Sequence, residues 1–368
     1  MIKPIAIYLP QFHPFPENDE WWGKGFTEWT NVTKSTPKFE GHYQPHLPRD
    51  LGFYDLRLED TLIAQSELAK KYGIFGFCYY HYWFNGKLLM EKPLENMLSS
   101  KKVDMPFCLC WANENWTRRW DGHDELVLIK QTYNLEDDLN HIQYLIKFFK
   151  DPRYIKIENR PVLLIYRTEL HPNIEEATEI WRREVKKAGF PDLYLIRVEN
   201  ILRDVDPSIY GFDAAMDFAP DFNLHKKLLI KENFFSYKLK KFLHKSGIKK
   251  NNHFTNTITK YSDLVNRSIA KAKSNYKRFS CVTPSWDNSA RREQHALVYH
   301  QSTPEKFGEW VKQTAQFTNE NFKDDEKIFF INAWNEWAEG NHMEPDLKFG
   351  TAYLEAFKEN LNLNNSII

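Results

Sequence analysis

Cysteine, net charge and long apolar runs are scarce in this sequence, and each scarcity excludes a class of protein. The 368 residues include four cysteines without the spacing of a zinc site or a disulfide framework, so we expect buried free thiols. Lysine and arginine total 50, as do aspartate and glutamate, and this balance argues against nucleic acid as the main partner. No apolar run approaches a membrane span and no secretory leader is seen, so we expect a cytoplasmic protein.

The motifs of several other chemistries are also missing. The sequence has no His-Glu-x-x-His metal motif, no Gly-x-Ser-x-Gly elbow and no glycine-rich phosphate loop after its first apolar run. Asp204-Val205-Asp206 matches the short acidic signature of metal-dependent sugar-nucleotide transferases, but it is only three residues long and precedes Pro207 in a loop-like stretch. We therefore expect neither a metal ion nor a cofactor.

Aromatic residues, by contrast, are abundant, and the most informative stretch places two acids among them. Residues 331–340 read INAWNEWAEG, with Glu336 and Glu339 beside Trp334 and Trp337. Such a pair suits glycoside cleavage, since one acid protonates the leaving oxygen while the other assists across the ring. An apolar setting raises a carboxyl pKa and keeps that proton in place. An extended strand would point the two acids apart, so we predict a bend after Trp337, which Gly340 permits. An ordinary strand end with two solvated acids is the alternative.

The distribution of apolar residues predicts an α/β fold of the (β/α)8 TIM-barrel type. Eight short apolar runs alternate with segments of helical periodicity, as expected for parallel strands buried on both faces. A doubly wound sheet is the alternative. We expect residues 1–368 to form one catalytic domain with long insertions at about 10–55 and 221–278, after strands 1 and 6. The predicted strands are Ile5–Leu9, Ile74–Tyr80, Phe107–Trp111, Pro161–Tyr166, Leu193–Val198, Ala214–Phe218, Phe279–Thr283 and Ile328–Trp334.

A basic segment lies within the second insertion. Lys226–Lys250 contains nine lysines and one acid, Glu232, with apolar residues between them. It could contact an anionic or membrane surface weakly, or it could be a solvated helical excursion.

The residues that follow the predicted strands are mostly polar or aromatic, and in a barrel these positions converge at one mouth. Residues 111–116 echo the eighth-strand motif, because Asn113 and Glu114 again lie between tryptophans. Glu114 is either a third functional acid that grips a sugar hydroxyl or the partner of an arginine such as Arg118 or Arg119. The candidate substrate-binding residues are Gln11, His13, Trp22, Glu28, Trp29, His81, Tyr82, Trp83, Trp111, Asn113, Glu114, Trp116, Trp286, Asn335 and Trp337.

Four long motifs stand out in the sequence, namely Tyr8–Pro14, Gly25–Val32, His42–His46 and Trp111–Trp116. They resemble the bacterial WbsX family, whose members are often described as glycosyltransferases of surface-polysaccharide loci, and this resemblance covers nearly the whole chain. A narrower pattern, Glu336–Gly340 followed by Glu344-Pro345, links the family to glycoside hydrolase family 99, the endo-α-mannosidases and endo-mannanases. The first two loops look like WbsX rather than family 99.

The resemblance implies a barrel-shaped retaining glycosidase that uses no metal. By position, Glu336 corresponds to the base that acts on the substrate's own 2-hydroxyl, and Glu339 to the general acid/base. The sequence therefore predicts an endo-acting, retaining glycoside hydrolase for a bacterial surface polysaccharide, with mannose specificity left open. The alternatives are a glycosyltransferase of O-antigen or capsule biosynthesis and a non-catalytic carbohydrate-binding barrel.

Overall fold

Eight parallel strands form a closed ring in the computed structural model, which describes residues 1–118, 123–222, 238–239, 242–243, 246, 256–271 and 273–361. Each strand pairs in parallel with the next, and β8 returns to β1. The predicted (β/α)8 barrel is therefore confirmed. The strands are β1 Lys3–Tyr8, β2 Gly76–Phe84, β3 Phe107–Trp111, β4 Arg160–Ile165, β5 Tyr194–Val198, β6 Ala214–Met216, β7 Arg278–Phe279 with Cys281–Val282, and β8 Ile328–Ile331.

The seventh strand closes the ring by changing partner halfway along its length. Its first half pairs with β6, where Met216 lies opposite Phe279, and its second half pairs with β8, where Cys281 lies opposite Phe330. The interruption falls at Ser280, whose carbonyl still accepts a hydrogen bond from the Phe330 amide at 2.9 Å. The ring is therefore nearly closed, with its one interruption among the described strands at Ser280.

The observed strands match the predicted apolar runs, and the largest differences occur at the carboxyl ends. β8 ends at Ile331 rather than at Trp334, because the chain turns there into a separate hairpin. β2 continues to Phe84 because its end pairs with residues Lys87–Leu89 in an antiparallel hairpin. All four cysteines are buried free thiols, as predicted.

Helices cover the outside of the ring and also form part of the first insertion. Local signals set several of their ends: the Asn134 side chain accepts a hydrogen bond from the Asp137 amide, and Thr303 caps a helix that opens with Pro304. The helices are α1 Pro16–Trp22, α2 Glu28–Lys34, α3 Glu59–Lys71, α4 Glu91–Ser99, α5 Leu135–Phe149, α6 Ile174–Lys187, α7 Tyr261–Ile269, α8 Pro304–Asn321 and α9 Ala352–Leu361.

Both insertions carry structure of their own. The first contains α1 and α2, and α2 lies against the turn that follows β8. The described end of the second contains α7 and the strand Thr257–Lys260, which pairs with Leu297–His300 in a small sheet beside the barrel. Lys226–Lys250 lies almost wholly outside the described residues, so its role stays a prediction, as does the assignment of residues 1–368 to one domain. Within the described ranges, no helix is both long and apolar enough to cross a membrane.

Candidate active site

The two acids of the opening motif lie on a hairpin at the carboxyl end of β8. Residues Asn335–Glu336 pair antiparallel with Asn341–His342, and Trp337–Glu339 form one turn of 3-10 helix between them. Gly340 then takes a positive φ of 54°, and a Cβ there would lie 2.9 Å from the Asp287 Cβ. The predicted bend after Trp337 is therefore present. Glu336 itself lies beyond β8, which ends at Ile331.

Both acids contact one arginine, Arg291. Its Nη2 lies 2.9 Å from the Glu336 carboxylate and its Nη1 lies 2.5 Å from that of Glu339. The same guanidinium holds a third carboxylate, Glu28 of α2, at 2.7 Å. The two acids therefore face the same space at the barrel mouth rather than opposite sides of the wall.

This cluster is buried and contains more acid than base. The Glu28 side chain is fully buried, and those of Glu336 and Arg291 are exposed by only 8% and 5%. Burial raises the pKa of Glu336 to about 8; Arg291 opposes this shift, while the Glu339 and Glu28 charges add to it. Burial also raises the pKa of Glu28, against the opposing effect of Arg291. Fully ionised, three carboxylates and one guanidinium would bury net negative charge, so the cluster favours holding a proton.

The cluster opens into a cleft with a volume of about 370 Å³. Aromatic rings form much of its wall, and Tyr82 meets Trp116 edge to face at 5.3 Å between ring centroids. Among the residues predicted from sequence, the cleft brings together Tyr82, Glu114, Trp116, Trp286, Glu336 and Glu339. It also contains residues that were not among the predicted binding residues, namely Tyr80, Tyr166, Arg167, Asn200, Phe218, Phe222, Asn332, Arg291 and Arg292.

Glu114 lines the cleft and is also paired with an arginine. Its partner is Arg167, two residues beyond the end of β4. The arginine predicted as its partner was Arg118 or Arg119; Arg119 lies outside the described residues, and Arg118 donates a hydrogen bond to the Trp21 carbonyl at 3.1 Å. An arginine partner is therefore present, while contact between Glu114 and a sugar hydroxyl stays a prediction.

Two predicted binding residues, Asn335 and Asn113, instead connect neighbouring strand ends. The Asn335 side chain accepts from the Leu9 amide at 2.7 Å and donates to the Leu9 carbonyl at 3.0 Å. Asn113 does the same with Arg167, at 2.8 Å in both directions. Neither lines the cleft, because both amides are fully buried and used by the backbone.

The hairpin tryptophan, Trp337, is also a packing residue rather than part of the cleft wall. Its ring stacks on His342 at 3.8 Å and its Nε1 donates to Glu344 at 2.6 Å. Glu344 also accepts from Tyr54 and Gln65; burial raises its pKa to about 7 against the opposing effect of these hydrogen bonds. This network supports the hairpin from within the protein.

The remaining predicted binding residues do not line the cleft, although Glu28 contacts its residue Arg291, and their role in substrate binding stays a prediction. The ring of Trp83 stacks on His141, which also contacts His81 through a 3.0 Å nitrogen–nitrogen distance. Burial lowers the pKa of His13 to about 4, as expected for a neutral core histidine. Aromatic composition alone could not separate these packing residues from cleft residues. The set consists of Gln11, His13, Trp22, Glu28, Trp29, His81, Trp83 and Trp111.

Arg291 is the main site residue that the sequence reasoning missed. It stands four residues after Asp287, in the polar segment that follows β7. The signal available in the sequence was a cation close to the end of a predicted barrel strand, in a barrel whose mouth was predicted to contain acids.

The two acids of the short signature at 204–206 have different partners in the structure. Asp204 pairs with Arg278 at 2.8 Å, and Asp206 accepts a hydrogen bond from the Ser208 amide and caps the turn there.

Comparisons with known proteins agree with this architecture. The model of the family described as "Glycosyltransferase WbsX" matches residues 4–357. Two relatives named "Uncharacterized protein WxcX", from two strains of Xanthomonas campestris pv. campestris, are each 40% identical over 357 residues, which is 97% of this chain and 49% of each relative. The chain thus spans about half the length of the curated relatives it matches.

Two solved structures share the fold at low sequence identity. A "Glycoside hydrolase-like protein" superposes with a TM-score of 0.57 at 13% identity, covering 98% of this chain and 94% of the other. The GH99 endo-alpha-mannosidase from Bacteroides thetaiotaomicron superposes with a TM-score of 0.56 at 13% identity, covering 97% and 95%. At this identity the likeness shows the fold alone.

Proposed function

The chain belongs to the WbsX family, and from that premise we propose that it is a retaining, endo-acting glycoside hydrolase that cleaves a bacterial surface polysaccharide. One observation carries the proposal: Glu336 and Glu339 face one buried arginine at the barrel mouth, in a cleft walled by aromatic rings. Two acids that face one sugar-sized cleft can divide the reaction, one giving a proton to the leaving oxygen and the other assisting elsewhere on the same sugar ring.

We assign Glu336 as the base and Glu339 as the general acid/base. Glu336 takes the proton of the substrate's 2-hydroxyl, whose oxygen attacks C1 as the glycosidic bond breaks. The leaving oxygen takes its proton from Glu339. Water then opens the resulting 1,2-anhydro sugar at C1 while giving a proton to Glu339, and the 2-oxygen recovers its proton from Glu336. The anomeric configuration is retained because C1 is inverted twice.

Arg291 fixes the positions of both carboxylates for these steps. Its guanidinium is planar and offers separate N–H groups to Glu336 and Glu339, so each carboxylate keeps a fixed direction. The ring faces of Tyr82, Trp116 and Trp286 line the same cleft and suit the C–H faces of a pyranose. Glu114 and Arg167 supply charged groups for sugar hydroxyls at the opposite wall.

A glycosyltransferase is the second candidate, and the description of the matching family favours it. The two activities differ in what they consume. A hydrolase needs only polysaccharide and water, whereas a transferase needs an activated sugar donor and releases its carrier group. No predicted phosphate loop follows β1, which favours the hydrolase.

The test is to incubate the purified chain with bacterial surface polysaccharides and measure new reducing ends, with and without sugar nucleotides. We expect release without a nucleotide. Glu339→Gln should nearly abolish release while polysaccharide binding persists. The matched control is Glu309→Gln, an exposed acid of α8 that pairs with Lys306.

Unchanged turnover in Glu339→Gln contradicts the acid assignment. Sugar transfer that depends on a nucleotide donor, without reducing ends, favours the transferase. Binding without either reaction favours a carbohydrate-binding barrel.

A further inference from the structure

A second cavity lies beside the acid cleft and shares Trp286 with it. Its volume is about 270 Å³, and its wall includes residues from the first insertion and from the segment after β8. The β8 hairpin contributes Glu336 and Glu339 to the cleft, but Gly340 and His342 to this second cavity. Apart from Trp286, no residue of this cavity takes part in the proposed glycosidase mechanism.

Three metal-ligand side chains meet at this cavity. The ring nitrogens of His46 and His342 and a carboxylate oxygen of Asp346 all lie within 4.8 Å of one another, and all three residues are buried. His342 Nε2 is 2.9 Å from His46 Nδ1 and 3.9 Å from Asp346 Oδ2. Sequence spacing could not predict this group, because His46 comes from a loop almost 300 positions before the other two.

The neighbours of these side chains fix the direction of their donor atoms. His342 Nδ1 donates to the Glu344 carbonyl at 2.8 Å, so its Nε2 carries the lone pair. Asp346 Oδ1 accepts from the amides of Lys348 and Phe349 at 3.0 and 2.6 Å, which leaves Oδ2 on the side of His342. Such outer contacts orient ligands in known metal sites.

We propose that His46, His342 and Asp346 bind a divalent transition-metal ion of the zinc class, with the open coordination position facing the cavity. Two imidazoles and a carboxylate are a ligand set such ions prefer, and three protein ligands leave a fourth position for water or a small anion. Tetrahedral zinc separates its ligand atoms by roughly 3.3 Å. The observed separations of 2.9 and 3.9 Å fall on either side of that spacing. Small side-chain shifts complete the site.

The imidazoles of His46 and His342 are hydrogen-bonded to each other. His46 Nδ1–H donates to His342 Nε2, so binding requires the His46 proton to move to Nε2 while the ring stays neutral. The pair formed by His81 and His141 offers a comparison within the chain, with its nitrogens 3.0 Å apart. In the part of the chain that the structure describes, no acid joins that pair in a group of three ligands.

The test uses the full untagged chain after chelator treatment and titrates it with Co²⁺, following the visible absorption bands, and then displaces Co²⁺ with Zn²⁺. We expect one ion per chain, with a Kd in the micromolar range or below and weak binding of Mg²⁺. Asp346→Asn should weaken binding at least tenfold, because the amide oxygen still accepts from the turn but the charge is lost. His46→Gln should do the same. Asp50→Asn, which removes an exposed carboxylate paired with Arg49, is the matched control and should leave the Kd unchanged.

Millimolar binding by the wild type overturns the proposal, and so does a Kd that is unchanged in both site variants. If a variant loses the circular dichroism spectrum of the folded chain, anomalous scattering from Zn²⁺ in wild-type crystals identifies the ligands instead. An ion held by other residues overturns the site. Because no sugar is present in these measurements, the result is independent of the proposed hydrolase activity.

Discussion

The segments after β3 and β8 carry the same short motif, an asparagine and a glutamate between tryptophans, and the two asparagines do the same work. Asn113 and Asn335 each use both ends of the side-chain amide to bind the backbone of a residue one or two positions beyond the end of the neighbouring strand. Each asparagine thereby fixes the direction in which the next residue, Glu114 or Glu336, leaves the barrel.

The glutamates differ in their surroundings. Glu114 is 19% exposed and shares Arg167 with one other acid, Glu169. Glu336 is 8% exposed and shares Arg291 with two other acids, so its pKa is raised to about 8. The same motif therefore yields an ion pair in one place and a proton-holding acid cluster in the other. Burial and the ratio of acids to arginine, rather than local sequence, decide the chemistry.

The strongest test of this comparison removes the charge from each glutamate. Glu336→Gln should lower kcat/KM by roughly 10³-fold, because the base of the proposed mechanism is lost. Glu114→Gln should cost only about tenfold, since it weakens one hydrogen-bonded contact with substrate. Both losses of kcat/KM are measured from the initial rates of reducing-end release.

Binding of polysaccharide to each variant, measured by calorimetry, is the control for folding and substrate contact. Equal losses of activity in Glu336→Gln and Glu114→Gln would mean that the two motifs share one role, against the comparison.

The next test exchanges the two arginines for lysine. Arg291→Lys should lower kcat by roughly 10²-fold, because an ammonium cannot hold Glu28, Glu336 and Glu339 in fixed directions at once. Arg167→Lys should lower it by less than about tenfold, since a partly exposed pair tolerates the looser cation. The measurement is the rate at saturating polysaccharide, with thermal unfolding as the check on folding. A larger loss from Arg167→Lys would reverse the ranking of the two clusters.

The pH profile tests whether Glu336 belongs to the reacting pair. The proposed reaction needs an ionised base and a protonated acid at the same time, so kcat/KM should be bell-shaped, with one limb at the pKa of Glu336. That pKa is raised to about 8 by burial. Glu114→Gln should keep this limb, because it leaves the Arg291 cluster intact. A profile without a limb near pH 8 would place Glu336 outside the reacting pair.

Stability gives an independent reading of the same group. The raised pKa means that the folded chain binds the Glu336 proton more tightly than the unfolded chain. The stabilisation that this proton gives to the folded chain is therefore complete below pH 4.5, the ordinary pKa of the carboxyl group. It is lost as the pH rises towards about 8, the pKa of Glu336 in the folded chain. The free energy of unfolding should fall more between pH 5 and 8 in the wild type than in Glu336→Gln. Equal slopes would place the titration elsewhere.

The barrel could be predicted from sequence because its strands are buried on both faces and so read as apolar runs. The bend before Glu339 could also be predicted from the sequence, because it is marked by Gly340, a position where a side chain does not fit. The end of β8 was not, since nothing in Asn332–Trp334 separates a strand from the start of a hairpin.

The residues that line the site were harder to predict from the sequence than the barrel, for a physical reason. Trp29, Trp83, Trp111 and Trp337 stand among polar and aromatic residues in the sequence, as Trp116 does, yet only Trp116 of these five lines the cleft. Which ring faces the cleft depends on contacts between distant segments, such as Trp29 with Trp337 at 5.5 Å. The Arg291 cluster is of this kind too, because it joins α2, the segment after β7 and the β8 hairpin.

The smallest expected difference lies between the two asparagines themselves. Asn335→Ala leaves the amide and carbonyl of Leu9 buried without their partner and should lower the free energy of unfolding by roughly 2–4 kcal/mol. Asn113→Ala should cost about 1 kcal/mol less, because the Arg167 carbonyl still accepts from the Leu170 amide at 3.2 Å. Urea unfolding of both variants measures the difference, with Asn319→Ala on the exposed side of α8 as a control. A greater loss from Asn113→Ala would mean that the Asn113 connection between β3 and β4 contributes more to the stability of the barrel than the Asn335 connection between β8 and β1.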